Sequence, residues 1–210
     1  MKKGKDISWY RWMGGAAMLF FFFILLLELN KKMKADKVIK AAQLAYGSMN
    51  AQQIDSIRQI VQAFDKYGDK DPNKFAYIMA TARHESNFKP IKEYRASPSQ
   101  TTIYNLQNNY WYTGYYGRGF VQLTWERNYQ KMSDFLGVDL VSNPDLALEP
   151  KYAAQILVYG MMNGSFTRRK LDEFINAQTQ DFYNARKTVN GTDRADLIKS
   201  YATQFLNATK

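Results

Sequence analysis

Residues 71–88 read DPNKFAYIMATARHESNF. Asp71-Pro72 can open a helix, because aspartate caps free N–H groups and proline suits the first turn. Phe75, Ile78, Met79 and Ala82 then fall on one face at helical spacing, and the next position on that face is Glu85. The spacing predicts a helix from Asp71-Pro72 to Glu85 that ends by aiming a carboxylate inward. His84, the only histidine in the chain, sits beside it. Burial disfavours the charged form of a carboxyl and keeps it protonated near neutral pH, the state a general acid needs. The competing reading is a packing ion pair between Glu85 and Arg83, Lys89 or Arg95. Glu93 follows past Pro90, in a turn or loop. Two carboxylates on different local elements can face each other across a cleft, as glycoside hydrolysis requires, although two nearby glutamates also arise by chance.

The rest of the chain reads mostly helical. Asn50 can cap a helix carrying Ile54, Ile57, Ile60, Val61 and Phe64, ended near Gly68. Residues 94–117 are polar and aromatic, and read as a long loop with short strands at most. Arg127 to Leu136 is a further helix stopped by Gly137, and Pro150 starts an apolar helix through Met162. Arg168 to Ile175 and Ala195 to Leu206 complete a mainly α fold.

The chain of 210 residues has room for one domain and an appendage. It has no cysteine, which excludes disulfides and thiolate-held metals, and one histidine makes a zinc site unattractive. Neither metal nor cofactor is expected, so hydrolysis would rest on carboxylates. The net charge is +10. Residues 1–40 hold nine basic against three acidic residues, a net +6, which leaves +4 for the remainder. A mildly basic domain suits polyanionic surroundings such as anionic lipid or a bacterial wall, and no specific nucleic acid is expected.

Trp12 to Leu27 reads WMGGAAMLFFFFILLL, uncharged and apolar between Arg11 and Glu28. Sixteen residues are short of the roughly 20 a membrane span usually needs. Trp9, Tyr10 and Trp12 could anchor the segment at the interface, and lysines flank both ends. No small-x-small cleavage site follows, so the expectation is an uncleaved anchor rather than a secretory signal, a core helix being the third option. The expected organisation is a transmembrane helix in residues 1–30, a basic stalk over 31–45 and a working domain over 46–210. The expected product is a single-pass membrane protein held through residues 12–28.

Residues 115–129 read YYGRGFVQLTWERNY. The glycines permit tight turns. Gln122, Thr124 and Asn128 offer neutral donors and acceptors of the kind that grip hydroxyl and acetamido groups. By composition alone the stretch could equally be a buried hairpin. Yet it closely resembles the Tyr-Tyr-Gly-Arg-Gly-x-x-Gln-Leu-(Ser/Thr)-x-x-x-Asn-Tyr motif of glycoside hydrolase family 19, which covers plant-type chitinases and many phage endolysins. ARHESNF is similar to the family's His-Glu-(Ser/Thr) segment, GVDLVSNPDLALEPKYAAQILVYGM to the stretch after the motif, and TVNGTDRADLIKSY to its Val-Asn-Gly segment and closing helix. The resemblance spans roughly residues 50–206 in family order.

It implies a lysozyme-like, two-lobed α-rich domain with a central cleft that inverts the anomeric centre, with carboxyl groups about 6.5–9.5 Å apart. It implies Glu85 as general acid, Glu93 as the base that activates water, and Thr124 as the hydroxyl that helps hold that water. It implies Tyr116, Gln122, Asn128 and Asn190 as substrate-binding residues, with Arg118 pairing an acid. Ser86-Asn87 stands where the family has glycines, which shifts Glu93 by one position and leaves Glu126 a rival base. Tyr104, Tyr110, Trp111, Tyr112 and Tyr115 are candidates for stacking on sugars, and His84 for bracing the fold. The expected function is a membrane-anchored, endolysin-like peptidoglycan hydrolase facing the cell wall, in a host inner membrane or a virion's internal membrane, with glycan strands and virion or lysis proteins as partners. The alternatives are a chitinase and a catalytically silent wall-binding or virion structural protein.

Overall fold

A computed structural model describes residues 8–210, with side chains from residue 20 onward. Residues 1–7 lie outside it, as do the side chains of Trp9, Tyr10 and Trp12. The chain divides into two compact units, the second being Val38–Lys210.

α1 spans Ser8–Tyr46. In the first unit its described side chains run from an exposed apolar stretch, Phe20 to Leu27, into Glu28, Lys31, Lys32 and Lys34. Glu28 accepts from Lys31 at 2.7 Å. Among the described residues no helix is long and apolar enough to cross a membrane. The expected transmembrane helix, the membrane partner and the single-pass localisation are corrected accordingly. The uncharged run is too short for the bilayer core, and the helix carries straight on through charges.

Six further α-helices are described in the second unit. α2 (Ala51–Tyr67) has Asn50 as its cap, with Gln53 returning the bond to close a capping box. α3 (Pro72–Ser86) is capped by Asp71 with proline in its first turn. Ala76 to Ala82 of α3 are all buried, so the expected single apolar face is corrected to burial all round. The cause is that α3 packs against α7 (Ala195–Ala208) and also meets α2 and α6 (Pro150–Asn163), where its alanines admit close neighbours. At its C-terminal end α3 is polar from Arg83 to Ser86.

Two further departures concern helices. Within the expected loop 94–117, Thr101–Asn108 forms α4, followed by a short 3-10 turn at Trp111–Thr113. Over the expected helix Arg168 to Ile175, only Leu171–Glu173 is helical, as a 3-10 turn. α5 spans Glu126–Leu136 and ends at Gly137.

The buried side chains form two clusters. The larger joins α2, α3, α6 and α7, with Ile39, Ala41 and Ala42 from the end of α1. The smaller gathers Leu123, Tyr129, Met132, Leu140, Ala147 and Ile156 around α5. A small antiparallel hairpin pairs β1 (Ile91–Lys92) with β2 (Arg118–Gly119), in the register Ile91 to Gly119 and Lys92 to Arg118. Gly119 has φ +84°, and a Cβ there would lie 2.9 Å from the Ala147 carbonyl, so the turn needs glycine.

Candidate active site

Glu85 ends α3 and its side chain keeps 20% exposure. Its partner is none of the nearby bases. The buried Arg186, 101 residues away, donates through Nη1 to Glu85 Oε1 and through Nε to the Asp193 carbonyl at 3.0 Å. Among the described residues no hydrogen bond engages Glu85 Oε2. Asp193 and Arg194 lie within electrostatic reach of His84 here. Burial, helped by Arg186 and Arg194, pulls the His84 imidazole below its ordinary 6.5 against the opposing charges of Glu85 and Asp193. Asn190 stands on the same loop, its N–H donating to the Arg186 carbonyl at 3.0 Å. Its side chain closes locally on the Gly191 N–H at 2.8 Å.

The turn out of α3 uses left-handed backbone at Asn87 (φ +50°) and Phe88 (φ +58°). Asparagine tolerates that region better than most residues, so Asn87 can stand where the family pattern has glycine. Arg83 clamps the Asn87 side chain and Gln53 bonds its carbonyl at 3.0 Å.

Glu93 follows β1, and the hairpin holds it against Gly117. The Glu93 N–H donates to the Gly117 carbonyl at 2.8 Å, and the Gly117 N–H donates back to Glu93 Oε2 at 2.9 Å. Oε1 accepts from Gln107 Nε2 at 2.9 Å and from the Tyr110 hydroxyl at 2.7 Å. Burial and the Glu93 carboxylate together push the Tyr110 phenol well above its ordinary 10.0, so it stays a donor. Gln107 is buried and uses its whole amide: it also donates to the Tyr94 carbonyl and accepts from Ala96 N–H and Arg95. Arg95 in turn lies over the Tyr104 ring at 4.1 Å.

Gln122 and Thr124 adjoin this carboxylate. Gln122 Nε2 donates to the Ile91 carbonyl at 3.1 Å, and its Oε1 lies against Gly117 beside Glu93 Oε2. Thr124 Oγ1 donates to the Gln122 carbonyl at 2.8 Å, and Asn128 Nδ2 to the Thr124 carbonyl at 2.7 Å. Tyr116 stacks on Trp111 at 4.3 Å and lies over the Arg118 guanidinium at 4.1 Å. Arg118 pairs with Asp145 at 2.6 Å and donates to the Gly114 and Tyr116 carbonyls. Glu126 is exposed in the first turn of α5.

The structure thus gathers the named residues into two groups. Glu85 and Asn190 share one, and Glu93, Gln122, Thr124 and Asn128 share the other, with Tyr116 beside Gly117. Three contributors escaped the sequence reading. Arg186 carried a faint signal, a base four residues before Asn190. Gln107 lay in a stretch read as loop, and Tyr110 was weighed only for sugar stacking.

The model of glycoside hydrolase family 19, described as chitinase class I, matches residues 41–168, more than half of the chain. The chain belongs to that family. It is 35% identical over 103 residues to an endochitinase of Arabidopsis thaliana, covering 47% of this chain and 35% of that protein. It is 40% identical over 65 residues to chitinase 11 of Oryza sativa subsp. japonica, covering 30% and 25%. An inactive chitinase-like protein 1 of Hevea brasiliensis is 35% identical over 65 residues, covering 30% and 21%. The chain spans about a third or less of the length of these curated relatives. Among solved structures, chitinase C from Streptomyces griseus HUT6037 shares the fold, with a TM-score of 0.52 and 18% identity over 80% of this chain and 73% of that one.

Proposed function

We propose that this chain hydrolyses the β-1,4 glycosidic bonds of bacterial peptidoglycan by inverting acid/base catalysis in a lysozyme-like cleft. The observation that carries the reading is the contrast between its two carboxylates. Glu93 is fixed by three donors on both oxygens, whereas Glu85 is fixed through Oε1 by a buried arginine, with no hydrogen bond to Oε2 among the described residues. Glu85 protonates the leaving oxygen and Glu93 takes a proton from the attacking water. Thr124, whose own proton is committed to the Gln122 carbonyl, accepts from that water and orients it. Tyr116, Gln122, Asn128 and Asn190 bind the sugars. The two separate hydrophobic clusters support a division into two lobes with the cleft between them.

The net charge of +4 outside residues 1–40 favours the wall, whose stem peptides carry carboxylates, over uncharged chitin. Wall lysis of the endolysin kind is the setting that suits it. Chitin is the second reading, supported by the chitinases among the relatives.

The test incubates the full chain and Glu85→Gln with purified peptidoglycan and with chitin oligomers, and identifies released sugars by mass spectrometry. Muropeptides with new reducing ends are expected from the wild type, with a loss of about 10²-fold or more in Glu85→Gln. Retained activity in the variant sinks the acid assignment, and products from chitin alone promote the second reading. Silence on both from a folded chain moves a silent wall-binding role to the front. If Glu126→Gln is inactive while Glu93→Gln is not, the base is Glu126.

A further inference from the structure

A cavity lined by neither carboxylate lies at the opposite end of α3 from Glu85. It holds about 590 Å³ between the start of α3, the Gln180–Phe182 segment and the last turns of α7. That volume is within the usual range for small-ligand sites. Asn73, twelve residues before Glu85 on the same helix, places it about 18 Å from the acid.

Its chemistry is that of a saccharide site. Phe182 and Leu206 supply an apolar wall. Gln180 donates to the Asn73 side-chain oxygen at 2.9 Å, a bond that leaves the Asn73 amide N–H₂ and the Gln180 carbonyl oxygen to face a ligand. Thr203 spends its proton on the Lys199 carbonyl at 2.9 Å and keeps its lone pairs. Fixed amide donors and acceptors beside an apolar wall match the hydroxyl, acetamido and ring faces of an N-acetylated sugar. Lys199 and Lys210 add cations, and no aspartate or glutamate side chain lines the cavity. Among the described residues no ion pair holds Lys199.

The geometry points to an accessory binding site for an N-acetylhexosamine glycan carrying a carboxylate, which Lys199 receives. It takes a fragment of the polymer without cutting it and keeps the chain on the wall between cleavages. The ligand's class rests on the peptidoglycan reading above, while the site itself does not depend on catalysis.

The experiment uses the full chain carrying Glu85→Gln, so that substrate is bound and not turned over. Isotope-labelled protein is titrated with a purified disaccharide-peptide muropeptide and, separately, with a chitin oligomer of equal sugar number. Backbone resonances of Gln180, Lys199 and Thr203 are expected to shift with the muropeptide. Adding Lys199→Glu, or Thr203→Trp to fill the cavity, should weaken that response several-fold and lower co-sedimentation with intact peptidoglycan. In the Glu85-bearing chain the same two changes should leave turnover of soluble muropeptides unchanged. Shifts confined to the neighbourhood of Glu85 and Glu93, or undiminished binding in both variants, would overturn the site. Equal response to the chitin oligomer, with no effect of Lys199→Glu, would overturn its preference for an acidic glycan. Loss of catalysis alone leaves these readouts intact, so a failure of the accessory site is distinct from a failure of the hydrolase reading.

Discussion

Glu85 and Glu93 are the same side chain in two unlike settings, and the neighbours make the difference. A carboxylate taking three hydrogen bonds is locked in place, while one taking a single buried guanidinium is held through one oxygen only. His84 offers a direct probe, since it is the only imidazole in the chain. Its folded value is lowered below 6.5, so its contribution to stability is present above 6.5 and is lost as pH falls through the lower folded value. A proton NMR titration should give a midpoint below 6.5. The thermal midpoint of His84→Gln should fall less steeply than the wild type's on acidification below 6.5. A midpoint above 6.5 would show that Glu85 and Asp193 outweigh burial. At this scale the place of Glu85 near the end of α3 was legible, because the Asp71-Pro72 start and the helix length are local signals. Its partner was not, since Arg186 lies 101 residues away and only folding brings it near.

The hairpin and α4 are the elements that set Glu93. β1 and β2 contribute two residues each, too few for any alternating pattern to register. α4 is one short helix that leaves Ile103 and Leu106 exposed and buries Gln107. Its stability comes from contacts with Glu93, Tyr94, Ala96 and Arg95 rather than from a local pattern, which is why the stretch reads as loop. The next turn carries strain: Gln122 has φ +53° and Trp125 φ +75°, on either side of Thr124. Such backbone costs on the order of 1–3 kcal/mol per residue and persists where the surroundings enforce it. Gly117 tests the assembly. A Cβ there would lie 2.6 Å from Gln122 Oε1 and 3.1 Å from Glu93 Oε2. Gly117→Ala should therefore lower kcat by roughly 10²-fold through misplacement of these groups, while costing only about 1 kcal/mol of stability. Calorimetry beside kinetics checks this, and unchanged kcat would mean that the base sits elsewhere.

Across the molecule, Asp145 joins the hairpin to the segment leading into α6, taking Arg118 at 2.6 Å and Lys92 at 3.3 Å. Burial pushes its carboxyl up, but hydrogen bonds from Arg118 and Lys92 hold it below the ordinary 3.8. Its contribution to stability is complete above 3.8 and is lost as pH falls through the lower folded value. Asp145→Asn should lower the thermal midpoint near neutral pH, and the gap to wild type should close below pH 3.8. A gap that persists at lower pH would assign the effect to packing rather than charge. The sequence by itself determined the mainly helical class, most helix limits and the family motifs, because caps, prolines and spacing act within a few residues. It misled over the N-terminal segment, where an apolar run suggested a membrane span although the helix carries on into charges. Only the tertiary structure decided what surrounds each carboxylate and that α3 is buried all round, because those contacts join residues far apart in the chain.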